Sequence, residues 1–101
     1  MRMKYRISNV YHSGRKCVRY DLDRAKINLQ GSVFVIENHD NIESVKQFEP
    51  LHFSFVETMS PYEFWDTTEV IGLRKSFNDA YELETINSIY IIKEIHDGGK
   101  E

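Results

Sequence analysis

The stretch TTEVIGLRKSFNDAYELETINSIYIIKEI, residues 67–95, decides the fold. It reads as three strands, over 68–75, 81–85 and 88–95, with turns at 76–80 and 86–87. Register tests that reading. With Thr85 opposite Ser88 across a two-residue connection, Leu83 pairs with Tyr90 and Tyr81 with Ile92. Side chains alternate along a strand, so these four share one face while Glu82 and Glu84 take the other. A slip of one residue sets glutamates against the apolar side chains, and the pairing is thereby pinned. Ile86 suits a type I′ turn poorly, since such turns need φ > 0. A slightly longer loop keeps the same β-meander.

Upstream of the meander, Ser60-Pro61-Tyr62-Glu63 has the form of a capping box, with Ser as N-cap and Pro at the first helical position. It predicts one or two helical turns carrying Tyr62, Phe64 and Trp65. Those aromatic residues either plug the open end of a small barrel or make an exposed anchor for a partner. Residues 51–58 alternate Leu51, Phe53 and Phe55 against His52, Ser54 and Val56, as a half-buried strand does. Residues 42–48 place Ile42, Val45 and Phe48 three apart, which predicts a short helix leaning on the sheet. SVFVIE at 32–37 reads as a strand buried on both faces.

Nearer the start, 23–30 reads as a connection ending at Gly31, with a strand as the alternative because Ile27 and Leu29 alternate. Residues 3–12 and 16–22 alternate about a Ser13-Gly14 turn and form a β-hairpin, with Met3, Tyr5, Ile7 and Tyr11 on one side. Residues 96–101 read as a frayed tail. The expected fold is mainly β, all-β to α+β. It is a compact antiparallel small barrel or sandwich of about six or seven strands with one or two short helical turns. A chain of 101 residues makes this one domain, 1–101.

Charge is segregated along the chain. Residues 1–26 hold eight basic side chains against Asp21 and Asp23, a net of +6; residues 27–101 hold five basic and fourteen acidic ones, a net of −9. Such asymmetry points to a charged partner, or to two regions whose fields cancel. Arg6, Arg15, Lys16 and Arg19 make the hairpin a candidate basic binding ribbon, or an edge protected from aggregation by its charge. Glu69, Glu82 and Glu84 are the candidate acidic face.

No motif for catalysis stands out. Cys17 lies among Arg15, Lys16 and Arg19, which would lower the pKa of an exposed thiol, but a lone cysteine in a strand reads as packing. The four histidines have no ligand spacing, so neither metal nor cofactor is expected. No phosphate-binding glycine loop or nucleophile elbow occurs. The expectation is a non-enzyme, since nucleophile, base and oxyanion donors are not assembled. There is no apolar run near the ~20 residues of a membrane span, and MRMKYRIS lacks the core of a signal peptide. With Cys17 as sole cysteine, the expected setting is the cytoplasm, without membrane contact.

Thr67, Thr68, Val70, Thr85, Asn87, Ser88, Tyr90 and Ile92 give the C-terminal third a resemblance to small uncharacterised β-barrel proteins of bacteria and phages. The resemblance implies a small barrel and carries no catalytic residue. The Asn, Ile, Lys and Glu content also resembles that of a low-GC bacterium or its phages. The functional expectation is a non-catalytic binding module, a phage or mobile-element protein that inhibits a host nucleic-acid-handling protein through a charged surface, like the anti-CRISPR proteins. A nucleic-acid-binding barrel using the basic hairpin is the alternative, with a small enzyme third. A homodimer formed by pairing of the exposed final strand is a further expectation.

Overall fold

The computed structural model of the chain describes residues 3–12, 29–58, 62–76 and 79–95. Seven strands run through them: β1 (Lys4–His12), β2 (Val33–Ile36), β3 (His52–Glu57), β4 (Phe64–Asp66), β5 (Val70–Lys75), β6 (Ala80–Thr85) and β7 (Ser88–Ile95). One 3-10 turn, η1 (Ile42–Ser44), lies between β2 and β3. All the pairings are antiparallel, in the order β4-β3-β2-β1-β7-β6-β5. The fold is mainly β, as its alternation predicts. No helix among the described residues is long and apolar enough to cross a membrane.

The meander has the expected register. Leu83 stands opposite Tyr90 and Tyr81 opposite Ile92, and all four are buried. Ile86 and Asn87 connect the strands without either residue entering the positive-φ region. Side chains take over what a primed turn supplies by backbone geometry. The fully buried Thr85 hydroxyl donates to the Ser88 carbonyl and accepts the Ser88 N–H, both at 3.2 Å. From the preceding corner, the Glu69 carbonyl accepts the Ile86 N–H and Thr68 Oγ1 accepts that of Asn87.

The sheet curls because one run of chain serves both of its ends. β4 pairs with β3, and three residues later β5 pairs with β6. At the corner Thr67 exchanges bonds with Leu51: its hydroxyl accepts the Leu51 N–H and its N–H donates to the Leu51 carbonyl. The ladder then continues, with Phe48 N–H to the Val70 carbonyl and Val70 N–H to that of Glu49. This curl brings the first and fifth strands of the sheet order together: Trp65 Nε1 on β4 donates to the Tyr90 hydroxyl on β7 at 3.0 Å.

The interior is an aromatic column wrapped in aliphatic side chains. Phe34 stacks on Phe53 at 4.0 Å, Tyr5 tilts against Phe34 at 5.7 Å, and Tyr90 meets Phe53 edge-on at 5.9 Å. Offset and edge-on contacts suit the ring quadrupoles. Ile7, Ile36, Ile42, Leu51, Val70, Leu83 and Ile92 complete it.

Tyr5 carries polar work as well: its buried hydroxyl accepts the Ile42 N–H at 2.9 Å and so anchors η1. Burial pushes the Tyr5 hydroxyl above the usual tyrosine pKa of 10.0. A raised native pKa means the folded chain holds a proton that the unfolded chain releases. The stabilising difference is intact below pH about 10 and is lost as pH rises through the native value. The urea midpoint is therefore expected to fall above pH about 10. In Tyr5→Phe that alkaline fall shrinks, while stability at neutral pH drops by about 1–3 kcal/mol because the Ile42 N–H loses its partner.

Four expectations need correcting. Residues 62–66 do not begin a helix: β4 forms instead, with Phe53 opposite Trp65 and Ser54 opposite Phe64. A one-turn helix has too few bonds to compete with that ladder. The helix expected at 42–48 shrinks to η1. Asn41 and Ser44 close a capping box around a single turn, and Val45 is already extended. Phe48 ends the segment at φ 70 with its ring 67% exposed, a conformation seldom held by a bulky side chain and fixed here by the Val70 bonds. In β1 an irregularity between Ile7 and Asn9 switches the alternation, so Val10 is buried where Tyr11 was expected. The final strand is no exposed edge, because β7 lies between β1 and β6.

Candidate functional site

The expected basic ribbon is described in one member. Arg6 is exposed on β1, and its guanidinium donates to the Gly31 carbonyl at 3.1 Å. Arg15, Lys16 and Arg19 lie outside the described residues, as do Cys17 and the return strand of the expected hairpin. The described neighbours of β1 are β2 and β7.

The expected acidic face divides. Glu82 and Glu84 share the outer face of β6, where Arg74 on β5 reaches both, at 3.1 and 3.3 Å. Those two bonds hold the Arg74 guanidinium above its usual pKa, that to Glu82 contributing most. The charge here is therefore partly cancelled by a neighbour. Glu69 is exposed at the corner before β5.

The larger acidic surplus lies elsewhere. Residues 29–73 contain eight acidic side chains and one basic, Lys46, a net of −7. This run builds β2, η1, β3, β4, the corner and the start of β5. Counting charge over a window of that length, rather than along single strands, would have located it from the sequence.

Alternation also separates the three candidate aromatic anchors. Trp65 turns inward, packs against the core and bonds Tyr90. Tyr62 and Phe64 have the opposite parity and stay about half exposed, at 49% and 52%. Trp65 thus packs toward the interior, and the other two face solvent.

Around Phe64 the outer face of the hairpin is ordered by register. His52 stands opposite Asp66 and Ser54 opposite Phe64. His52 Nδ1 bonds the Asp66 carboxylate, and the imidazole stacks on the Phe64 ring at 5.4 Å and 25°. The His52 N–H donates to Asn38 Oδ1, and its carbonyl accepts the N–H of the exposed Glu37. An imidazole is thereby fixed between two strands carrying carboxylates.

Such a dyad can orient a proton acceptor, but acyl or phosphoryl transfer needs a nucleophile in reach. Among the described residues no hydroxyl or thiol bonds the His52 ring. Nor do three His, Cys, Asp or Glu side chains converge as a metal site there. What the arrangement offers is a rigid aromatic surface bordered by negative charge. No protein-family model, curated protein or solved structure matches the chain.

Proposed function

We propose that this chain is a non-catalytic binding module that attaches to a basic protein surface through the acidic half built by residues 29–73. The observation that carries this reading is the net of −7 on those residues, beside a meander whose Glu82 and Glu84 are held by Arg74. A single-signed surface raises the encounter rate with an oppositely charged one and repels like-charged partners. Clefts that bind nucleic acid are surfaces of that opposite sign, and carboxylates can occupy positions meant for phosphates. The specific version is a cytosolic phage or mobile-element protein that inhibits a host nucleic-acid-handling protein, in the manner of the anti-CRISPR proteins.

The test is affinity capture from nuclease-treated bacterial lysate at about 0.05 M and about 0.5 M salt, a range over which exposed charge is increasingly screened. The expected result is a stoichiometric nucleic-acid-handling protein at low salt, released by high salt and by added DNA or RNA. Retention of nucleic acid itself, or self-association alone, would replace this reading.

A further inference from the structure

We propose that the outer face of the β3–β4 hairpin is where the partner docks, and that it takes an arginine-bearing extended segment. One guanidinium of that segment lies over the aromatic surface, within reach of Glu37 and Asp66. This rests on the protein-binding reading above and names the surface and the chemistry of its occupant.

The first support is exposure. Tyr62 and Phe64 share a parity and are 49% and 52% exposed, and Val56 on β3 is 53% exposed. Contiguous apolar patches on a small domain mark contact surfaces, whose centres are rich in Tyr and Phe. The second is preorganisation. Phe64 is stacked on His52, and His52 is held through its ring by Asp66 and through its backbone by Asn38. A ring held in this way loses little freedom when a ligand arrives.

Charge decides between occupants. The exposed Glu37 and Asp66 border the face, and Lys46 is the one basic residue of 29–73. A nucleic-acid strand also stacks on aromatic rings, but it needs a positive groove for its phosphates and would meet carboxylates here. A cation gains from both the rings and the carboxylates. Arginine suits the site better than lysine because its planar group stacks on a ring while its fork pairs with a carboxylate.

The experiment uses the full chain and a hexapeptide alternating Arg and Val, with Lys and Glu versions as comparisons. Affinity is measured calorimetrically at low salt, and amide NMR shifts map the contact. The Arg peptide is expected to bind with shifts confined to β3 and β4, the Lys version several-fold weaker, and the Glu version not at all. Phe64→Ser is expected to weaken binding roughly tenfold, and Asp66→Asn to weaken it while the melting curve reports an intact fold. Glu82→Gln with Glu84→Gln is expected to leave affinity unchanged. Shifts centred on β5 and β6, wild-type affinity in Phe64→Ser, or an oligonucleotide bound at the same amides would overturn the assignment. Capture of the partner by the Phe64→Ser chain as by wild type would sink this surface alone. Failure of wild-type capture would sink the binding reading instead.

Discussion

Phe53→Ala is expected to cost about 3–5 kcal/mol, roughly a fifth or more of what a domain this size ordinarily has. Phe53 is fully buried on β3 and touches the rings of both Phe34 and Tyr90, so its loss opens a void at the centre of the aromatic column. Strands on each side are fixed in register by hydrogen bonds and cannot collapse to fill it. The measurement is a urea transition, with the midpoint falling and the slope unchanged. Phe64→Ala, one strand away on the outer face, should move the midpoint by no more than about 0.5 kcal/mol in equivalent stability. Equal losses from the two variants would contradict the inward and outward assignment of β3 and β4.

Thr85→Val is expected to cost about 2–3 kcal/mol although it conserves shape and apolar area. Its hydroxyl satisfies both the N–H and the carbonyl of Ser88, and both residues are buried. Removing one partner of a buried hydrogen bond costs roughly 1–3 kcal/mol for each group that loses it. Thr85→Ser keeps the hydroxyl and should lose only the methyl group, about 1 kcal/mol. If valine melts with serine or above it, the hydroxyl is not what closes the turn.

These two residues also show what a sequence can and cannot disclose. Register within the meander was legible because glutamates punish any slip, and the buried β2 because it is β-branched and aromatic throughout. The pairing of β1 with β7 was not, since no local pattern names a partner more than seventy-five residues distant. At 62–66 a capping box pointed to helix, and tertiary pairing with β3 prevailed. The aromatic anchors were visible as residue types, but only alternation along a strand could part Trp65 from Phe64. The His52–Asp66 contact joins two segments and had no local signal.

The resemblance of the C-terminal third now has a physical content. Thr67, Thr68 and Thr85 hold the corner and the meander turn with their hydroxyls, Ser88 answers Thr85 with its backbone N–H and carbonyl, and Tyr90 receives Trp65 across the interior. Any chain closing a sheet at this place would find such residues useful, so their pattern speaks of architecture and leaves the task open.

The long-range pairing of β1 has an implication for how the molecule comes into being. Lys4 lies opposite Ile95 and His12 opposite Ser88, so the ladder that joins the two sides of the sheet unites residues made early with residues made late. While a ribosome is still adding the meander, one flank of β1 waits for its strand. Closing so large a loop is slow, and the waiting intermediate exposes an adhesive edge. This sheet would then depend on a chaperone's cover until β7 is made.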